Sequence, residues 1–208
     1  MFNSSIYNDD IHQILNRAIS ELSAKYQIAL HEKADEEKLL SELFNLFGIN
    51  SAGFGMISEL KYYCSFGFQA HHPFKILIFE KIDSYYHGKS AQRLSFQDYV
   101  IIAYKELPVN YGDIFIRREN LNDKIIELFM KQEVDLDEFP EFSSKYYVIA
   151  NQRNDVVNFI DKRRAALFVE NNDIEGYYVL NEKDLWLINL KNLCEDEFIR
   201  TTEMMAEI

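Results

Sequence analysis

The chain has little of most things that would announce a chemistry or a compartment. Only two cysteines occur in 208 residues, Cys64 and Cys194, far apart and without a CxxC spacing. A disulfide scaffold is excluded; one bridge between the two is left open, and reduced thiols in a cytosolic protein are the expectation. Seven glycines and three prolines are scattered, with no Gly/Ser linker, no low-complexity tract and no internal repeat. No stretch approaches the ~20 apolar residues that cross a bilayer. The opening residues Met1-Phe2-Asn3-Ser4-Ser5 lack the basic and apolar regions of a secretory signal. A soluble, cytoplasmic chain with no membrane span is expected.

Positive charge is also short. The 22 Lys and Arg face 34 Asp and Glu, for a net charge of −12. Such a chain repels phosphate backbones and anionic lipid, which disfavours nucleic-acid and membrane-surface binding. The charge has two readings, solubility alone or a protein partner with a basic surface.

What the chain does have is a core. Hydrophobic residues make up 48% of it and aromatics 14%, with sixteen Phe and thirteen Tyr. That composition argues against disorder and for an aromatic interior with tyrosine hydroxyls at its edges. A chain of this length buries roughly 70% of its unfolded surface without staples.

The periodicity is helical over residues 9–47. Ile11, Ile14, Leu15, Ala18, Ile19, Leu22, Tyr26 and Ala29 form one stripe, which resumes after a charged waist at Leu39, Leu40, Leu43, Phe44 and Phe47, with Gly48 as the stop. Residues 56–68, 75–82, 94–104 and 113–117 are rich in β-branched and aromatic residues. They are linked by turn chemistry at Pro73, His87-Gly88-Lys89, Pro108 and Gly112, which predicts an antiparallel sheet. A helical pattern returns at Leu121, Ile125, Leu128 and Phe129. It is followed by a strand over 145–150, short helices around Val156–Ile160 and Ala165–Val169, a hairpin across residues 181–184, and a last helix over 195–206. The fold class is α+β: a mainly antiparallel sheet with flanking helices and an N-terminal helical segment. The division expected is residues 1–50, amphipathic and helical, and residues 51–208, the α+β domain.

Motifs for chemistry are sparse. Glu133, Asp135, Asp137, Glu138 and Glu141 lack the central glycine and register of a calcium loop, and Phe139-Pro140 sits where the loop would turn. The pair His71-His72 points to opposite faces of a strand, which is poor geometry for one metal, and His12, His31 and His87 are expected to stand alone in exposed contexts. There is no GxSxG elbow and no HExxH. Gly53-Phe54-Gly55 lacks a third glycine, and Gly88-Lys89-Ser90 lacks the preceding phosphate-cradling loop. The basic knots Arg117-Arg118 and Lys162-Arg163-Arg164 are short and read as helix-face solvation or local ion pairing. No cofactor is expected, and no metal.

One stretch reads like a known family. Val134-Asp135-Leu136-Asp137 alternates apolar and acidic residues, then Pro140-Glu141-Phe142 leads into the aromatic run Tyr146-Tyr147-Val148. With Leu107-Pro108 and residues 114–119 before it, and Gly176-Tyr177-Tyr178-Val179 and Asp184-Leu185-Trp186-Leu187 after it, the layout over about residues 53–190 resembles an uncharacterised bacterial family of α+β proteins. Many members look membrane-attached through N-terminal hydrophobic segments. This chain departs from that pattern, since residues 1–50 are amphipathic and charged, and the resemblance carries over no catalytic residues.

Two functional readings stand. The first is a non-enzymatic protein–protein interaction module. Its contacts would come from an acidic knob at Asp135, Asp137 and Glu138 and from the N-terminal stripe at Ile11, Leu15 and Leu22, the latter also a route to a homo-oligomer. That stripe has a second reading, packing on the domain's own sheet. The alternative function is a cryptic hydrolase or small-molecule-binding protein, with a site assembled from Tyr62, Tyr63, His71, His72, Tyr85, Tyr86, His87 and carboxylates.

Overall fold

Helix α1 (Ser4–Leu22) shows how the pattern becomes structure. Its stripe Ile11, Leu15, Ala18 and Leu22 is at most 2% exposed, and these residues join the main hydrophobic core rather than facing outward. Burying such an apolar stripe is the chief source of a helix's stability in a protein. The computed structural model describes residues 4–32, 56–67, 73–86, 93–118 and 132–208. The expected second helical stretch at 39–47, the helix at 121–129, Gly53-Phe54-Gly55, His71, His72 and the 87–90 turn lie outside the described residues.

Among the described residues nine strands form one antiparallel sheet. They are β1 (Gln27–Glu32), β2 (Met56–Gly67), β3 (Phe74–Tyr86), β4 (Arg93–Glu106), β5 (Ile114–Arg118), β6 (Gln132–Glu133), β7 (Tyr146–Ala150), β8 (Gly176–Asn181) and β9 (Asp184–Asn192). The spatial order is β1-β2-β3-β4-β9-β8-β5-β7-β6. The first four strands are a meander in chain order, and the hairpin β8–β9 is inserted between β4 and β5. Residues 27–32, expected as a continuation of the N-terminal helix, are strand β1. It ends the helical stripe because it pairs in continuous register with β2, Gln27 opposite Gly67 through Glu32 opposite Tyr62.

Alternation divides the sheet into two apolar faces. Ile76 and Ile78 of β3, Ile101 and Ala103 of β4 and Leu185 and Leu187 of β9 point to the helix-bearing face. Leu77, Phe79, Ile102, Val179, Trp186 and Ile188 point to the other, where no described helix contributes. Four further helices serve the first face: α2 (Pro140–Ser143), α3 (Arg153–Phe159), α4 (Lys162–Glu170) and α5 (Glu195–Glu207). The architecture is therefore α+β, with the helices flanking an antiparallel sheet. Helix α1 and strand β1 share the core and the sheet of the rest of the chain.

Local devices fix the inserted hairpin. Its turn has Glu182 in the left-handed region, φ 58°, and the tip is clasped by the β4–β5 link: Leu107 N–H donates to the Lys183 carbonyl at 2.8 Å, and Tyr111 N–H to the Glu182 carbonyl at 2.9 Å. Gly176 lies so close to the Ile188 carbonyl oxygen that a Cβ would collide with it. Between Val100↔Asn192 and Ile101↔Asn189 the register shifts, so β9 bulges. Fully buried Asn189 uses the bulge twice. Its Oδ1 accepts from Lys191 N–H at 3.0 Å, and its Nδ2 donates to Glu197 Oε2 at 2.9 Å and Thr201 Oγ1 at 3.1 Å. This anchors the first turns of α5 to the sheet.

Candidate protein-binding site

Beyond β6 the acidic–apolar alternation runs through a loop and turn, and it still sorts by burial. Val134 and Leu136 are buried, and Asp135, Asp137 and Glu138 are exposed. A turn closes at Phe139, whose N–H donates to the Leu136 carbonyl at 2.9 Å. Pro140, with no N–H to lose, opens α2. Ser143 ties helix to turn: its Oγ accepts from Leu136 N–H at 3.1 Å and donates to the Leu136 carbonyl at 3.2 Å.

Beneath this turn lies an aromatic cluster. Phe142 stacks on Tyr146 with centroids 5.2 Å apart, and both meet Phe168 of α4 edge-on at 5.5 and 5.4 Å. The Tyr146 hydroxyl donates to the Phe168 carbonyl at 2.8 Å. Burial holds the Tyr146 and Tyr178 hydroxyls well above the ordinary phenol range, so both stay neutral. Helices α2 and α4 are thus fixed to the same aromatic platform.

Between them the surface opens into a groove of about 560 Å³. Phe139, Pro140, Phe142, Ala165, Ala166 and Val169 give it an apolar lining, and Glu141, Glu170 and Lys162 stand at its border. Across Phe139 a second depression of about 230 Å³ lies among Leu136, Asp137, Glu138, Arg153, Val157 and Ile160. Val157, 46% exposed, is one of the few large apolar side chains left in solvent among the described residues. The groove has Glu141 and Glu170 against Lys162, and the smaller depression has Asp137 and Glu138 against Arg153. Lys145 is taken up by Glu141 at 3.1 Å, and Arg153 lies 4.0 Å from Asp137.

The structure places Asp137 and Glu138 on the smaller depression across Phe139 from the apolar groove, and leaves Asp135 exposed on the loop before it, lining neither. It does not bring Ile11, Leu15 and Leu22 there, since all three are sealed in the domain's own core. A partner reaching them would first have to lift α1 off the sheet. The groove itself is absent from the sequence reading, because its walls are twenty residues apart and meet only through Phe142, Tyr146 and Phe168. The adjacent small residues Ala165 and Ala166 were the one local signal.

Most reactive groups elsewhere are buried or engaged. Cys64 is fully buried and burial pushes its thiol up to about 12. Cys194 is exposed and free. His12 and His31, expected to stand alone, are engaged: His12 Nε2 lies 3.0 Å from the Tyr62 hydroxyl, and His31 Nε2 lies 3.0 Å from Ser65 Oγ. Buried Lys105 donates to the Met205 carbonyl at 3.0 Å; burial, then Arg164 and Arg163, lower its pKa to about 8. Of the tyrosines offered for a hydrolase site, Tyr63, Tyr85 and Tyr86 lie in β2 and β3. Among the described residues no group of three or more His, Cys, Asp or Glu is placed to hold a metal ion, and no helix is long and apolar enough to cross a membrane.

No family model, curated protein or solved structure matches this chain.

Proposed function

We propose that this protein is a non-enzymatic protein-interaction module that holds a segment of a basic partner in the groove between α2 and α4. The segment is an apolar side chain flanked by Lys or Arg. The observation that supports this reading is an apolar-lined groove carrying Glu141 and Glu170, with the exposed Asp137 and Glu138 on the adjoining depression across Phe139. An apolar anchor supplies affinity by leaving water, and the carboxylates steer and orient the cations beside it. The net charge of −12 works in the same direction at longer range. The resemblance to the uncharacterised family is part of the same proposal, because Pro140, Glu141 and Phe142 of its most specific segment line one side of the groove.

A photo-cross-linking side chain at exposed Ala166 tests this in native lysate. The expected product is one dominant adduct whose cross-linked peptide is basic around an apolar residue. Its yield should fall at least tenfold in the Asp137→Lys, Glu138→Lys protein and with added salt. An adduct on an acidic or uncharged segment, or no adduct from a folded protein, overturns the proposal.

A further inference from the structure

Phe139 separates the groove from the smaller depression, and the two differ in what they accept. The groove, about 560 Å³, is mainly apolar. The depression, about 230 Å³, is smaller than the roughly 300–1,000 Å³ of ligand pockets, a size for one side chain. Leu136, Phe139, Val157 and Ile160 give it apolar walls, and Asp137, Glu138 and Arg153 give it charge. Such a lining suits lysine or arginine, whose stem lies on apolar surface while its charged head reaches carboxylates at the edge. One such side chain is already there. Arg153, the first residue of α3, lines the depression with its guanidinium 4.0 Å from Asp137 Oδ2.

We infer that Arg153 occupies, in the free protein, the place of a partner cation, and that a Lys or Arg of the bound segment displaces it from Asp137. This exchange presupposes the groove reading above: a segment with its apolar side chain in the groove carries its flanking cation past Phe139 into the depression. The contact is made to be given up. At 4.0 Å, with side chains 58% and 93% exposed, the ion pair contributes little to the fold. It does, however, offset one of the two carboxylates that a cation would seek. A free cation gains little by replacing one guanidinium with another. A cation tethered to an apolar anchor arrives at a high effective concentration and wins the exchange. Arg153 thereby selects segments that carry both features. It turns away lone polycations, which a chain of net charge −12 would otherwise collect.

Amide chemical shifts during titration with acetyl-Arg-Leu-Arg-amide, and with its uncharged citrulline counterpart, test this. The Ala166 amide reports the groove, and the Glu138 and Val157 amides report the depression. The charged peptide should shift both sets saturably and the citrulline peptide only Ala166. Arg153→Gln should lower the dissociation constant of the charged peptide at least threefold. That gain should vanish when Arg153→Gln is made in the Asp137→Asn protein, which a general change of charge would not do. Both changes are on exposed side chains, and unaltered urea midpoints check the fold. Saturable shifts at Ala166 with none in the depression overturn the exchange and leave the groove reading standing. So does an affinity unchanged by Arg153→Gln, or a gain that persists without Asp137. No saturable shift at any of the three amides overturns both.

Discussion

Lys105 is the residue whose state most depends on its surroundings. It is 5% exposed, sits at the end of α5 with its ammonium on the Met205 carbonyl, and shares that corner with Arg163, which donates to the Glu207 carbonyl, and Arg164, which donates to the Ile208 oxygen. These cations answer the unpaired carbonyls of a helix C-terminus, where positive charge is favoured. Burial and two neighbouring guanidiniums still dominate, and the folded pKa falls from 10.5 to about 8. Between those values the unfolded chain keeps a proton that the folded chain has released. The unfolded state binds more protons there, so this residue's contribution to stability rises with pH across the window. The buried tyrosines act in reverse above pH 10, since they stay neutral in the fold and ionise when it opens. Comparing the native protein with Lys105→Met cancels the tyrosine effect. In urea titrations the native protein should gain on the order of 1–2 kcal/mol relative to the variant between pH 8 and 10, with the difference constant below pH 7.5. A flat difference throughout would mean that Lys105 titrates normally.

Helix α1 decides, among the elements, how the N-terminal stripe is used. Leu15 is wholly buried, Lys25 just beyond the helix is ion-paired with Glu203 of α5, and α1 packs beside α5 on the sheet. Leu15→Ala should therefore lower the unfolding free energy by roughly 2–5 kcal/mol, with no change of oligomeric state at equal concentration. A variant of native stability would show that the stripe packs elsewhere in solution. This stripe was legible in the sequence because a 3.6-residue period survives translation into one buried face. Elements with their own period or turn chemistry read equally well: β2, β3, β4, the β8–β9 hairpin and α5 all fall within a few residues of expectation. Strand β1 did not, since Ile28 and Leu30 alternate over too few residues to interrupt a helical stripe that Tyr26 and Ala29 prolong. The exposed carboxylates of Asp135, Asp137 and Glu138 were visible as alternation. The neighbouring groove between α2 and α4 was not, because those helices are brought together by ring packing that no local spacing encodes.

At the scale of the molecule the sheet is closed by its last hairpin. β4 and β5 are separated only by a seven-residue link, yet they are not neighbours; β9 and β8 lie between them. Ile114 pairs with Leu180 and Ile101 with Asn189, so the middle of the sheet waits for the final third of the chain. Each such pairing closes a long loop before it returns any contact energy, which slows folding and makes the centre cooperative. The same order predicts how the folded protein opens. Amides of β9, β8 and β4 have a strand on both sides, and Trp186, Leu187 and Tyr178 beside them are fully buried. Those amides should exchange only through global unfolding, with free energies that track urea midpoints one for one. β6, two residues long at the far edge, should exchange by local fraying at several kcal/mol less. Glu182 in the clasped turn gives the discriminating case. If the β8–β9 hairpin opened alone, Glu182→Pro would speed exchange only within β8 and β9. If it closes the sheet, the same change should lower protection in β4 and β5 by an equal free energy, because neither retains its inner neighbour once the hairpin leaves.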